Sequence, residues 1–112
     1  MKEDFLHYLW KFKNFNTLDL KTTSGELITI THVGQYLEQS GPDFFNAQIC
    51  IANQKWAGNV EIHLKSSDWY VHHHEKDSAY ENVILHVVWE HDIDIFRSNN
   101  SVIPVLELKN YV

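Results

Sequence analysis

The sequence predicts an α/β (α+β) fold with a mixed central sheet, and three of its patterns indicate this fold. Residues 2–13 carry apolar side chains at helical spacing, with acids in the first turn. Residues 44–65 contain two strand-like stretches around a polar dipeptide, which is the pattern of a hairpin. Residues 83–89 are apolar at nearly every position, as in a central strand that is covered on both faces.

The first half of the chain is predicted to contain the helix and three strands. A polar stretch ends at Ser24-Gly25 and is followed by β-branched residues, which favour a strand. Gly34, Gly41 and Pro42 punctuate a predicted loop over residues 32–42. Gly58 indicates a bulge or a close approach of another segment. The three strands and the hairpin turn are predicted at 26–31, 44–52, 55–65 and 53–54.

The second half of the chain is predicted to complete the sheet. Ser67 or Asp68 can cap a helical turn, and a short helix is predicted over residues 75–81. Pro104 lacks a backbone N–H, so the last strand is expected at an edge or to begin with a bulge. The strands of this half are predicted at 83–89, with a continuation at 92–96, and at 102–108. This element order indicates one mixed sheet with helices packed on it.

Length and composition fit one globular domain over residues 1–112. Apolar residues make up 44% of the chain, which argues against disorder. The lone cysteine, Cys50, lies in an apolar run and is expected to be a buried, inert thiol in a reducing, cytoplasmic setting. No apolar run is long enough to span a membrane and no export signal is visible, so no membrane association is expected.

The formal charge of −6 counts against simple nucleic-acid binding, because lysine and arginine supply most of the affinity for phosphates. Two features can reverse the sign locally. A bound divalent metal adds positive charge, and some of the eight histidines can carry a proton near neutral pH.

The predicted second strand of the hairpin has one chemical face and one apolar face. Glu61, His63 and Lys65 point to one side of it, because side chains alternate along a strand. Val60, Ile62 and Leu64 point to the other side. Polar residues at every second position are also typical of the solvent face of a half-exposed strand, so the alternation alone does not define a site.

A second acid, Asp43, opens the first strand of the hairpin. With the turn at 53–54, Asp43 is expected opposite Leu64 and within a few residues of Glu61, an offset that a bulge at Gly58 can absorb. Converging carboxylates bind Mg²⁺ or Mn²⁺, so these two acids are candidate metal ligands. His63 or Lys65 is the candidate group to orient or deprotonate the attacking water.

The order helix, three strands, helix and strand, with Pro42-Asp43 before one strand and Glu61-Ile62-His63 on the next, resembles the restriction-endonuclease-like PD-(D/E)xK nuclease superfamily. The resemblance covers residues 1–89 and implies a restriction-endonuclease-like fold. It also implies that Asp43 and Glu61 bind a divalent metal and that the domain hydrolyses phosphodiesters. His63 stands where the superfamily has lysine, so the identity of the base stays open between His63 and Lys65.

The whole chain resembles the N-terminal part of an uncharacterised bacterial family of longer proteins, which is a domain of unknown function. The segments that carry this likeness are 40–47, 58–69 and 82–88. The resemblance implies no activity. It implies that the chain is a fragment or a short relative, and that a C-terminal region of a longer chain is missing.

Histidines form the other candidate constellation. His72 and His74 flank His73, and with His86 they can complete a zinc or manganese site or contact a phosphate. Asp68 is a candidate outer-shell partner of a histidine, or a helix cap. A solvated loop around residues 72–74 and a core His86, bonded to the backbone or to Asp68, are the simpler interpretations.

Two other patterns carry less weight. A literal Glu-x-Lys motif begins at Glu107, but it lies on a predicted edge strand beyond the expected core, so we interpret it as unrelated to the site. Trp69, Tyr70 and Tyr80 can stack on bases, although packing in the core or at its rim is favoured.

The leading hypothesis is a metal-dependent nuclease-like domain acting on nucleic acid, with Mg²⁺ or Mn²⁺ favoured over Zn²⁺. A non-catalytic α/β interaction or scaffold module is the alternative, which the acidic charge and the missing lysine favour. A third hypothesis is a zinc site on His72, His74 and His86. A homodimer and the missing C-terminal region are the other expected partners.

Overall fold

The computed structural model describes residues 1–38 and 40–112, and it confirms the predicted mixed α/β architecture. Helix α1 spans Glu3–Phe12, close to its predicted bounds. Within the described residues six strands form one sheet, namely β1 Ile28–His32, β2 Gln35–Tyr36, β3 Phe44–Ile51, β4 Gln54–Lys65, β5 Val83–Glu90 and β6 Val105–Glu107. The other helical pieces are α2, Asp68–Val71, and 3₁₀ turns at His74–Lys76, Ser78–Tyr80 and Leu108–Asn110.

The sheet is antiparallel on one side and parallel on the other. Its strand order is β1-β3-β4-β5-β6, and β2 pairs with the start of β3. Strand β3 runs antiparallel to β1 and β4, whereas β5 runs parallel to β4 and β6. Strand β5 is buried on both of its faces from Val83 to Val88, which explains why it is apolar at nearly every residue. Strand β6 lies at the edge that Pro104 predicted.

The hairpin register differs from the predicted one. The turn lies at Ala52 and Asn53, which have φ values of 51° and 68°, so it comes one residue earlier than expected. The bulge lies in β3, where Asn46 has a φ of 57°, and not at Gly58. Together these features place Phe44 opposite Val60, and Asp43 therefore adjoins Glu61 rather than Leu64.

One face of the sheet carries the main core. Leu6, Leu9 and Trp10 of α1 are buried against it, and Val60 and Ile62 of β4 belong to the same cluster. Because side chains alternate, Glu61 and His63 lie on the other face. A second apolar cluster packs separately and consists of Trp69, Tyr80, Val83, Ile95 and Ile103.

Several predicted elements are shorter than expected or wrong. Residues 92–96 do not extend a strand, and Phe96 forms only an isolated bridge with Val102. Side chains hold this segment instead: the Ser66 hydroxyl lies 2.6 Å from His91 Nδ1, and Ser67 donates to the carboxylate of Asp92. Local side-chain bonds of this kind compete with strand pairing.

The other differences lie at the ends of elements. The helix predicted at 75–81 is replaced by two 3₁₀ turns, and the loop predicted at 32–42 contains β2. The last strand covers only Val105–Glu107 of the predicted 102–108. Cys50 is half-buried rather than buried. No helix in the described part of the chain has the length and apolar character needed to cross a membrane.

Replacing Gly58 by alanine is expected to lower the free energy of unfolding by about 1–3 kcal/mol. A Cβ at this position would press on Ile84 and would lie 2.7 Å from the carbonyl oxygen of Asn82, so β4 and β5 would have to separate. Urea unfolding followed by tryptophan fluorescence measures the effect. Ala57→Ser, at the exposed neighbouring position, is the control, and a Gly58→Ala variant as stable as this control would contradict the close approach.

Candidate metal centre

Backbone hydrogen bonds of the hairpin bring the carboxyl groups of Asp43 and Glu61 close together. The backbone N–H of Asp43 donates to Glu61 Oε1 at 3.1 Å. The backbone N–H of Ile62 donates to Asp43 Oδ2 at 2.9 Å. Strand β3 begins only at Phe44, so the Ile62 N–H donates to the Asp43 carboxylate instead of to a backbone carbonyl of an antiparallel ladder. The structure thus brings the two predicted acids together.

The two carboxyl groups cannot both carry a charge cheaply. Burial, and then the negative charge of Asp43, raise the pKa of Glu61 far above its ordinary value. Burial also opposes ionisation of Asp43, but the neighbouring His7 and Glu61 side chains and the hydrogen bond from the Ile62 backbone outweigh it and lower the pKa of Asp43. At neutral pH the metal-free site therefore holds a proton on Glu61 and a negative charge on Asp43.

His63 lies two residues after Glu61 on the same face of β4 and is almost fully buried. Its Nε2 atom is 3.3 Å from Glu61 Oε2 and 3.2 Å from His72 Nδ1. Its Nδ1 atom is 2.7 Å from Nε2 of His86, which β5 places directly opposite Glu61. One ring nitrogen of His63 therefore contacts Glu61, and the other contacts the buried His86.

His74 approaches Glu61 from the segment that follows α2. Its Nε2 atom lies 2.8 Å from Glu61 Oε2, and its ring stacks on Tyr80 with 3.7 Å between the ring centroids. His73 has a left-handed φ of 58° and is exposed. Ligand nitrogens of His63, His72 and His74 all lie within 4.8 Å of one another, so the described residues include a cluster that can hold a metal ion.

The buried imidazoles of this cluster are neutral at pH 7. Burial, followed by the neighbouring His74 and His72, lowers the pKa of His63 to about 3. Burial and His63 lower the pKa of His86 in the same way, and burial lowers the pKa of His74. A neutral imidazole offers a lone pair, which is the form that binds a metal.

A second group of ligand atoms, which the sequence reasoning missed, lies at the Asp43 end of the site. His7 Nε2 is 3.4 Å from Asp43 Oδ2 and 3.7 Å from Glu3 Oε1, and these three residues also form a potential metal-binding group. Burial lowers the pKa of His7, but the neighbouring Asp43 carboxylate outweighs it, so the net shift is upward. The available signal was the spacing of Glu3 and His7, four residues apart on a predicted helix.

The model of a family described as "Protein of unknown function (DUF2851)" matches residues 3–112. The chain belongs to the DUF2851 family. This match confirms the predicted likeness to a domain of unknown function, whereas the nuclease likeness and the bacterial source stay predictions. No curated protein and no solved structure matches the chain significantly.

In the DUF2851 domain the other candidate residues, Lys65, Asp68 and Glu107, lie at the rim of the site or away from it. Lys65 is exposed at the end of β4, and its backbone N–H donates to the Asp68 carboxylate at 3.2 Å. Asp68 is thus not the partner of His86, whose ring bonds to His63 instead. The carboxylate of Glu107 accepts hydrogen bonds from the His91 backbone and from Asn110, which agrees with its interpretation as unrelated to the site.

Aromatic side chains wall the histidine side of the DUF2851 site. Trp69 and Tyr80 are buried, as the packing interpretation predicted, and are not exposed for stacking on bases. The Trp69 ring meets His74 and His86 edge-on at centroid distances of 5.3 and 5.2 Å. These contacts fix the imidazole planes and keep water from that side of the cluster.

Proposed function

We propose that the DUF2851 domain is a divalent-metal-dependent phosphodiester hydrolase, a nuclease-like domain that acts on nucleic acid. The observation that supports this most directly is the convergence of Asp43 and Glu61, held together by the 3.1 Å and 2.9 Å backbone hydrogen bonds. A buried and a half-buried carboxylate beside neutral imidazoles are groups that metal-dependent hydrolysis uses.

A divalent ion fits the acidic end of the site. Glu61 retains a proton because its carboxyl group is buried and lies next to the negative charge of Asp43, and a cation can take the place of that proton. Asp43, Glu61 and His7 are the residues that would hold it. His7 Nε2 is buried and has no hydrogen-bond partner among the described residues, which suits a ligand atom. Such an ion supplies a bound water of lowered pKa and polarises a phosphoryl oxygen.

The donor set of this end favours Mn²⁺. Mg²⁺ prefers oxygen ligands alone, whereas Mn²⁺ binds carboxylates and also accepts an imidazole such as His7. Of the two ions that the sequence favoured over Zn²⁺, Mg²⁺ and Mn²⁺, we therefore propose Mn²⁺ at the Asp43 end. His63, neutral and 3.3 Å from Glu61, acts beside it either as a ligand or as a base for the attacking water.

The rim of the site suits a nucleotide. A cleft of about 280 Å³ adjoins His7 and is lined by Asp4, His7, Tyr8, Lys11, Phe12, Tyr36 and Phe44. Tyr8 and Tyr36 are exposed there, and nucleobases stack on such rings without regard to sequence. Lys11 and the exposed Lys65 are cations that can meet phosphate oxygens, which partly offsets the formal charge of −6.

Asp43→Asn is expected to reduce Mn²⁺-dependent hydrolysis about a hundredfold, because a metal-bound group contributes several kcal/mol to the transition state. The assay uses single- and double-stranded DNA and RNA oligonucleotides and bis(p-nitrophenyl) phosphate, with Mn²⁺, Mg²⁺ or Zn²⁺. Asp19→Asn is the matched control, because Asp19 is exposed and its φ of 54° suits asparagine.

Two results would contradict the proposed function. One is a folded wild-type domain that binds no Mn²⁺ and hydrolyses none of these substrates, which would leave the interaction module as the better account. The other is an Asp43→Asn variant that remains as active as Asp19→Asn.

A further inference from the structure

We infer that the DUF2851 domain holds a second divalent ion, of the zinc type, on His63, His72 and His74, with Glu61 shared between the two ions. The histidine site follows from its own geometry, and only its role beside a Mn²⁺ ion rests on the proposed function. Three ligand nitrogens lie within 4.8 Å of one another, and two of the three rings are buried.

The separations of the donor atoms match those around a tetrahedral ion. Zinc bonds of about 2.0–2.2 Å place neighbouring tetrahedral ligands roughly 3.3–3.6 Å apart. His63 Nε2 is 3.2 Å from His72 Nδ1 and 3.3 Å from Glu61 Oε2. His74 Nε2 is 2.8 Å from the same Glu61 oxygen, about half an ångström short of that range. Small side-chain movements are enough to admit an ion.

The hydrogen bond between His63 and His86 prepares His63 as a ligand. If His63 Nδ1–H donates across the 2.7 Å contact to His86 Nε2, the lone pair of His63 Nε2 faces the cluster. A ligand histidine ordinarily donates its other N–H to a fixed partner, which sets its tautomer and ring orientation. His86 is therefore the positioning residue of this site, and His63 is a ligand rather than a free base.

His74 supplies an independent indication that something is bound. Its side chain is nine-tenths buried, and its Nε2 atom has no hydrogen-bond partner within the described ranges. Glu61 Oε2 is 2.8 Å away, but the two atoms are not aligned as a hydrogen bond. An unpaired buried nitrogen is costly, and stacking on Tyr80 holds this one toward the cluster. A metal ion would satisfy it.

Glu61 connects this site to the acidic end of the centre. Its Oε1 atom faces the Asp43 backbone, whereas its Oε2 atom faces His63 and His74. A carboxylate with one oxygen on each side is suited to bridge two ions, as in two-metal phosphodiesterases and nucleases. Three imidazoles and one carboxylate oxygen favour Zn²⁺ or Co²⁺ over Mg²⁺.

The test is metal binding by the full chain, with Zn²⁺ titrated by calorimetry and Co²⁺ followed by the visible absorption of its tetrahedral complex. His72→Ala is expected to weaken Zn²⁺ binding at least a hundredfold and to remove the Co²⁺ absorption. His72 is exposed, so this variant should fold. His73→Ala, at the exposed neighbouring histidine, is the matched control and should bind both metals like the wild type.

The inference would be overturned if the folded wild type bound no Zn²⁺, or if His72→Ala and His74→Ala both bound it like the wild type. Equal losses in His73→Ala and His72→Ala would also overturn it. Asp43→Asn separates this inference from the proposed function. It should reduce Mn²⁺-dependent hydrolysis about a hundredfold and keep the Co²⁺ absorption. Loss of hydrolysis in Asp43→Asn together with unaltered Zn²⁺ binding in His72→Ala would leave the function standing and remove the histidine site.

Discussion

Glu61→Gln is expected to abolish the binding of both ions without unfolding the protein. In the metal-free site Glu61 already holds a proton, so glutamine replaces a neutral group of the same shape. Its amide oxygen can still accept the Asp43 N–H, and its amide nitrogen can donate toward His74 or His63. We expect the free energy of unfolding to change by less than about 1 kcal/mol. The substitution removes only the ability of this side chain to carry the negative charge that binds an ion.

Calorimetry with Mn²⁺ and Zn²⁺ measures the loss of binding. Hydrolysis should fall about a thousandfold, because the variant lacks the ligand that the two proposed ions share. In the wild type, metal binding at neutral pH should also release a proton from Glu61, which buffers of different ionisation enthalpy detect. Glu107→Gln is the control, since the Glu107 carboxylate bonds to the His91 backbone and to Asn110. Glu61→Gln binding either metal with wild-type affinity would contradict the shared-ligand role.

The sequence pattern was sufficient to select the two acids, Asp43 and Glu61, but not to predict the strand register that aligns them. Alternation along one strand and the Pro-Asp dipeptide before its partner singled out Asp43 and Glu61, and both lie in the observed cluster. The turn at Ala52-Asn53 and the bulge at Asn46 decided the register. Both depend on positive φ values at residues other than glycine, and a sequence signals these weakly.

The remaining parts of the site depend on tertiary packing. Glu3 and His7 come from α1, and nothing local to that helix indicates that Asp43 lies beside it. His86 was expected to bond to Asp68 or the backbone, and its actual partner is His63 because β4 and β5 pair in parallel with Glu61 opposite His86. The register between strands that are distant in the chain follows from packing, which local propensity does not encode.

The metal-free domain is expected to be most stable near pH 6.5, and buried neutral histidines cause the loss on the acid side. The unfolded chain protonates His63 and His86 near their ordinary pKa of 6.5, whereas the folded pKa is about 3 for His63 and well below 6.5 for His86. Their contribution is complete above pH 6.5 and is lost as the pH falls toward 3. Each histidine contributes a slope of up to about 1.4 kcal/mol per pH unit.

Glu61 acts in the opposite direction. Its folded pKa is raised far above the ordinary 4.5, so its contribution is complete below pH 4.5 and declines as the pH rises through neutrality. His7, whose pKa is raised above 6.5, also loses its contribution as the pH rises. Between pH 4.5 and 6.5 the two buried histidines outweigh Glu61. Above pH 6.5 they no longer titrate, so the sign of the slope changes there.

Urea unfolding in the presence of a chelator, from pH 5 to 8, measures both limbs. Glu61→Gln should reduce the alkaline slope and keep the acid slope, whereas His73→Ala, which removes an exposed histidine outside the cluster, should keep both. A wild-type stability that is flat between pH 5 and 6.5 would contradict the neutral, buried His63-His86 pair. In the proposed centre Zn²⁺ would replace the proton on Glu61, so the metal-loaded protein should gain rather than lose stability as the pH rises. That reversal distinguishes a metal centre from a buried polar cluster of the same composition.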